Sequence, residues 1–313
     1  MSQILPISDQ QLESALSYPR LIETLKRELP APELQIPARQ HLDVGRNTLL
    51  LMPAWNEKYI GVKMVTIFPE NKSLMLPSIQ GTYTLMDRRN GSILATMDAK
   101  LLTNLRTAAT SALMAGYLAR KESRILTMIG TGSLASQLIR SHCSQFPIEK
   151  IFIWGRNPDH AKRLADGLND LALEITWTTD LEQAIREADI ISTGTMSANP
   201  LVSGACVQPG THIDAVGSYK PNLRELDDVL IRKCAIYVDT IEGATTESGD
   251  LAIPLRHGVI RTRQIRGTLF DLCRGTVDGR VNDEEITLFK SVGHASEDLI
   301  AAGLAYEVLS GLQ

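Results

Sequence analysis

Hydrophobic positions in the first part of the chain change their spacing several times. From Ser8 to Leu29 they recur at helical intervals (Leu12, Ala15, Leu16, Leu21, Ile22, Leu25) behind Ser8, a residue suited to capping, so a helix is predicted there. Alternating segments follow at Thr48–Met52, Tyr59–Phe68, Gly81–Asp87 and Ser92–Asp98, which predict strands. Arg88-Arg89-Asn90-Gly91 joins the last two, and Asn-Gly is a strong hairpin signal. No long crossover separates these strands, so they are read as antiparallel. An Ala-rich helix is predicted from Leu101 to Arg120, and residues 1–119 are read as one α+β domain.

From Lys121 the rhythm changes. Short apolar runs at Arg124–Ile129, Ile151–Trp154, Asp189–Thr193, Thr211–Val216, Ala235–Val238 and Gln264–Gly267 predict strands. Leu134–Cys143, Pro158–Leu171 and Leu181–Glu187 predict helices between them. Such alternation implies βαβ units and a parallel sheet, so the fold class is α/β, with a doubly wound sheet over residues 120–292 beside the first domain. A final helix, Ala295–Leu312, is not needed to complete a βαβ unit, and residues 293–313 are expected to return to the first domain.

Composition narrows the function classes. The chain has 313 residues, 43% hydrophobic and 22% charged, a balance that fits one large or two medium folded domains. Its 32 Lys and Arg against 36 Asp and Glu leave a net charge of −4, scattered along the chain, which argues against nucleic-acid or membrane-surface partners. No apolar run approaches the roughly 18 residues of a spanning helix. Met1–Gln10 contains Asp9 and no apolar core, so no secretory signal is expected. Cys143, Cys206, Cys234 and Cys273 stand far apart without a Cys/His cluster, which points to reduced thiols in a cytoplasmic protein and to no metal site.

The strongest local motif is Gly130-Thr131-Gly132-Ser133-Leu134-Ala135, set between a predicted strand and a predicted helix. Gly130 permits a tight turn, Gly132 lets the backbone approach a pyrophosphate, and the helix start offers amide donors. This is the fingerprint of a Rossmann dinucleotide site. An enzyme using NAD usually places an acid at the end of the next strand. Here the segment is Ile153-Trp154-Gly155-Arg156-Asn157-Pro158, and Arg156 suits a 2′-phosphate, so NADP(H) is favoured over NAD(H).

Basic residues in apolar surroundings mark the first domain. Lys63 shares a strand face with Gly61, Val65 and Ile67, Arg106 opens a small-residue helix segment, and Arg39 follows Ile36-Pro37-Ala38. A buried lysine needs an anionic partner or a lowered pKa.

Several motifs, in order and spacing, resemble the ornithine cyclodeaminase/mu-crystallin family. They are Pro37-Ala38-Arg39, Met52-Pro53-Ala54, Lys63-Met64-Val65, Arg106-Thr107-Ala108-Ala109, Gly130-Thr131-Gly132 and Ala215-Val216-Gly217-Ser218. Arg224-Glu225-Leu226-Asp227-Asp228, Glu247-Ser248-Gly249-Asp250 and Lys290-Ser291-Val292-Gly293 complete the set. The resemblance implies a homodimer of subunits with a Rossmann domain and a substrate-binding and dimerisation domain. It implies that Arg39, Lys63 and Arg106 clamp the carboxylate of an amino or imino acid, with Lys63 also catalytic and Val292 touching the substrate. It makes Asp228 the acid/base, with Asp227 one register away. It also implies dinucleotide contacts from Ser78, Arg106, Gly130, Gly132, Ser133, Leu134, Thr193, Val216, Gly217 and Ser291.

True cyclodeaminases of the family use NAD and carry an acid where Arg156 stands. They also carry a Glu ahead of the Met-Pro pair, where this chain has Leu49-Leu50-Leu51. Those two departures favour an NADPH-dependent reductase of cyclic ketimine carboxylates, forming L-proline or L-pipecolate. Ornithine or lysine cyclodeamination, reductive amination of the alanine dehydrogenase type, and a binding protein without turnover are the alternatives.

Overall fold

The computed structural model describes residues 4–312, apart from the side chain of Lys72, and divides into two units. Residues 1–3 of the segment read for a secretory signal lie outside the described residues. One unit comprises the chain up to Thr107 together with residues from His294 onward, and the other runs from Ala108 to Gly293.

Alternation in the first unit builds a six-stranded sheet from β1 (Leu5–Ile7), β2 (Gln40–Val44), β3 (Asn47–Trp55), β4 (Tyr59–Ile67), β5 (Ile79–Asp87) and β6 (Ile93–Asp98). Strands β2 to β6 form an antiparallel meander, and Gly91 closes its last hairpin at φ +73°. The sequence gives no sign of β1, which pairs with β6 in parallel, or of β2, which is exposed throughout. The helix predicted over 8–29 is two, α1 (Asp9–Ala15) and α2 (Tyr18–Glu28). Ser8 and Gln11 form a capping box on α1, whereas Pro19 has no N–H for the Ala15 carbonyl, so the chain must begin a new helix.

Helix α3 (Ala99–Leu118) contains the boundary between the units, which therefore falls inside the predicted helix instead of after it. The reason is tertiary: the Ala108 carbonyl accepts from Ser141 Oγ, and that of Leu118 from Thr287 Oγ1 and Arg280 Nε. Helix α11 (Ala295–Leu309) packs against β3 and β4 in the first unit.

The second unit is a parallel eight-stranded sheet of β7 (Ile125–Ile129), β8 (Lys150–Trp154), β9 (Glu174–Thr178), β10 (Ile190–Thr193), β11 (His212–Ala215), β12 (Ala235–Val238), β13 (Ile265–Thr268) and β14 (Thr287–Lys290). Their order is β13-β12-β14-β11-β10-β7-β8-β9. The chain winds outward from β7 to β9, then returns to the other side of β7 with β10, so the order reverses between β7 and β10. Ligands of such sheets bind at that switch point, beyond the strands' carboxyl ends. The connecting helices are α4 (Ala135–Gln145), α5 (Pro158–Asp166), α6 (Leu181–Glu187), α7 (Asp228–Lys233), α8 (Ile241–Thr246), α9 (Gly249–Arg256) and α10 (Leu269–Arg274). Helix α5 stops short of the predicted Leu171 because Gly167 caps it. No helix among the described residues is long and apolar enough to cross a membrane.

Candidate active site

In the first unit, the alternation of β4 buries Gly61 and Lys63 and exposes Met64. Lys63 is 4% exposed and Arg106, on α3, is 3% exposed. Both reach the first turn of α11. Lys63 Nζ donates to Asp298 Oδ2 at 2.6 Å, Arg106 Nε to Asp298 Oδ1 at 2.8 Å, and Arg106 Nη1 to Glu297 Oε2. Glu297 and Asp298 are fully buried, at a helix start whose dipole favours acids. Burial alone would raise Asp298, yet Arg106 and Lys63 hold it below the usual carboxylate range. Burial lowers Lys63; Asp298 opposes this and Arg106 adds to it.

Two cations and two carboxylates leave this cluster formally neutral, but donors remain. Besides Asp298, Lys63 makes only a 3.4 Å contact with Thr103 Oγ1 among the described residues, and the two acids occupy the Nε and Nη1 positions of Arg106, not Nη2. Met52 lies opposite Lys63 across the β3–β4 pair, and Leu50 and Ala54 share its face, so the neighbouring strand presents no carboxylate there. Arg39 is half-buried just ahead of β2. The Ser78 hydroxyl is buried without a hydrogen-bond partner among the described residues, which suits a hydroxyl kept for a ligand.

In the second unit, Gly130 follows β7 at φ +122°, and a Cβ there would stand 2.7 Å from the Gly194 carbonyl oxygen. Only glycine lets these two loops touch. At Gly132 a Cβ would meet nothing within 4 Å, so open space lies before the turn. Helix α4 starts without a side-chain cap, Ser133 is exposed and Leu134 half-buried. These features fit a pyrophosphate on the helix start. At the end of β8, Arg156 is exposed and has no ion-pair partner among the described residues, while Asn157 caps α5 by accepting from the Asp159 N–H at 2.9 Å. His160 and Arg163 line a shallow depression of about 310 Å³ with Thr131 and Leu164.

The remaining candidates occupy other strand ends. Thr193 is fully buried and donates its hydroxyl to Glu225 at 2.9 Å. Val216 is half-buried and Gly217 buried. Asp239 Oδ2 accepts from Ser291 Oγ at 3.1 Å and from the Val292 N–H at 2.6 Å, which fixes that loop. Asp227 is the N-cap of α7, accepting from the Leu230 and Gly204 amides at 2.7 and 3.0 Å. Asp228 is the first residue of α7, ion-paired with Arg224 and with 35% of its side chain exposed.

The sequence motifs do not single out Glu297 and Asp298. Their signal is two adjacent acids in a helix that is otherwise apolar over Leu299, Ile300, Leu304, Val308 and Leu309.

The family model for the ornithine cyclodeaminase/mu-crystallin family matches residues 11–312. The chain belongs to this family. Among curated members it is 36% identical to the Δ1-pyrroline-2-carboxylate reductase of Paracoccus denitrificans over 298 residues, covering 95% of this chain and 94% of the relative. Among solved members it resembles the Thermococcus litoralis Δ1-pyrroline-2-carboxylate reductase in complex with NADH and L-proline, with a TM-score of 0.92, 36% identity and 98% of each chain covered. An archaeal alanine dehydrogenase dimer with bound NAD gives a TM-score of 0.91 at 31% identity, covering 99% of this chain and 97% of the other. The whole chain thus shares the family's architecture of a Rossmann-like dinucleotide unit with a second α+β unit.

Proposed function

We propose that this protein is an NADPH-preferring reductase of cyclic ketimine carboxylates, converting Δ1-pyrroline-2-carboxylate to L-proline and Δ1-piperideine-2-carboxylate to L-pipecolate. One observation carries the reading: Lys63, on the apolar face of β4, and Arg106, on α3, are both buried, and the two nearby carboxylates, Glu297 and Asp298, are both committed to them. That arrangement suits a small carboxylate with an apolar ring, and it offers no acid for the side-chain ammonium of a diamino acid. The P. denitrificans and T. litoralis relatives, both Δ1-pyrroline-2-carboxylate reductases, support the reductase reading.

The remaining donors of Lys63 and Arg106 hold the substrate carboxylate and orient C2, with Arg39 as the third cation. NADPH, held by the Gly130–Gly132 turn and Arg156, would supply the hydride for C2. An iminium accepts hydride better than a neutral imine, so an acid at the ring nitrogen accelerates the step. Lys63 fits that role: it is buried and its pKa is lowered, so its proton is more readily given. Asp228, held by Arg224, is the other candidate. Arg156 selects the 2′-phosphate.

The chain acts as a cytoplasmic homodimer in this reading. Leu42, Val44 and Met64 are 44%, 48% and 42% exposed on the face of the sheet opposite Lys63, where a second copy would cover them. The test is product formation from Δ1-pyrroline-2-carboxylate and NADPH in ammonia-free buffer. L-proline in step with NADPH consumed supports the proposal. Proline and ammonia from ornithine with NAD, and no turnover of the imine, would reject it. Turnover only of a 2-oxo acid with ammonia would favour the alanine dehydrogenase type, the activity of the archaeal neighbour.

A further inference from the structure

Glu225 lies in the second unit, fully buried, and has no role in the clamp or the Gly-rich turn. Its carboxylate binds the loops that follow β10 and β11. Oε1 accepts from the Thr195 N–H at 2.6 Å, and Oε2 accepts from Thr193 Oγ1 at 2.9 Å, the Gly217 N–H at 3.0 Å and the Ser218 N–H at 3.2 Å. All four partners donate. The two loops meet at this point: a Cβ on Gly217 would stand 2.3 Å from Thr195 N, 2.4 Å from Thr195 O and 2.5 Å from Glu225 Oε1. The Thr195 loop also backs the Gly-rich turn through Gly194.

Glu225 is itself held. Asp250 Oδ1 accepts from the Glu225 and Leu226 amides at 2.7 and 3.0 Å, and Asp250 Oδ2 lies 3.3 Å from Lys290 Nζ at the end of β14. Asp250 and Lys290 are fully buried as well. Burial and Asp250 push the Glu225 carboxyl up, while Lys290 and the Thr195 amide oppose them. Two carboxylates in series, Glu225 and Asp250, therefore tie the ends of β10 and β11 to α9 and β14.

In a doubly wound sheet each half binds one mononucleotide, and β10, β11 and β14 belong to the half that does not carry the Gly-rich turn. We infer that Glu225 is a positioning residue for the nicotinamide half of the dinucleotide site, holding the loops after β10 and β11 in the one geometry that receives it. The inference rests on the reading that this unit binds NADP(H). The adenosine half, built on Gly130, Gly132, α4 and Arg156, makes no hydrogen bond with Glu225 among the described residues and meets the loops that Glu225 holds where Gly130 packs on Gly194 and Thr195.

Calorimetry with two probes separates these statements: NADPH, and 2′-phospho-ADP-ribose, which carries the adenosine half and the pyrophosphate but no nicotinamide. In Glu225→Gln the amide cannot accept at one of its two positions and turns an NH2 toward N–H donors. NADPH binding then weakens roughly tenfold or more, while 2′-phospho-ADP-ribose binding stays within about twofold of wild type. Equal loss for both probes, as a merely structural role would give, overturns the inference, and so does no loss for either. Glu225→Asp, which keeps the charge and loses reach, shows the same selective loss to a smaller degree, and it decides the matter if the Gln variant does not fold. Wild-type protein that binds neither probe would reject the dinucleotide reading, and this inference with it.

Discussion

Under the proposed function Arg106 serves both substrate binding and folding, and one substitution can separate the two. Arg106→Ala would leave Glu297 without its cation and Asp298 with only Lys63, all in a fully buried place. Removing one partner of a buried pair costs about 3–5 kcal/mol. That is a large part of a domain's stability of about 5–15 kcal/mol, so lost activity in that variant would prove little. Arg106→Lys keeps a positive charge beside Asp298 but cannot serve Asp298, Glu297 and a ligand carboxylate together. A hydrogen bond to a charged group contributes about 1.5–3 kcal/mol, and 1.4 kcal/mol is about tenfold, so kcat/KM for the cyclic imine falls roughly ten- to hundredfold. Initial rates over a range of imine concentrations, with a thermal melt of the same sample, measure both effects. A folded Arg106→Lys enzyme with kcat/KM within about twofold of wild type would remove Arg106 from the substrate site.

Other consequences can be checked separately. Arg156→Ala raises KM for NADPH roughly tenfold or more and leaves KM for NADH nearly unchanged; parallel changes with both cofactors would count against a 2′-phosphate contact. Lys63 is charged below its folded pKa, which burial lowers, so the alkaline fall of kcat/KM begins below the ordinary lysine value of about 10.4; in Lys63→Arg that fall disappears and the rate drops, because a guanidinium gives up no proton. The fold survives that limb, because a lysine with a lowered native pKa binds fewer protons folded than unfolded, and its contribution to stability rises with pH there. Gly130→Ala forces a side chain onto φ +122° and against Gly194 O, costing about 1–3 kcal/mol in a denaturant melt and weakening NADPH binding in calorimetry. Met64→Arg charges the open sheet face and yields a monomer in sedimentation equilibrium; an unchanged dimer would place the interface elsewhere.

Much of the fold was legible because it depends on local pattern. Lys63 stood out as a charge on the apolar side of an alternating strand, and Gly130-Thr131-Gly132 as a turn between strand and helix. Strands β2 and β9 gave no signal because they bury little or no apolar face. The break between α1 and α2 was present in Pro19 but hidden by apolar spacing that continues across it. The partners of Lys63 and Arg106 could not be read. Asp298 lies 235 residues from Lys63, and Glu297 lies 191 from Arg106, so only tertiary packing brings them together. The Arg224–Asp228 segment reads as a motif, yet its spacing does not tell that Asp227 caps a helix and Asp228 meets Arg224.

Under the proposed function this chain moves a hydride from NADPH to a cyclic imino acid. The most direct test is the fall in reduced-nicotinamide absorbance when purified protein meets Δ1-pyrroline-2-carboxylate in ammonia-free buffer, with NADPH and NADH run in parallel. Rapid oxidation that favours NADPH and yields L-proline is expected. Absence of oxidation with either cofactor, from protein that calorimetry shows to bind NADPH, would contradict it.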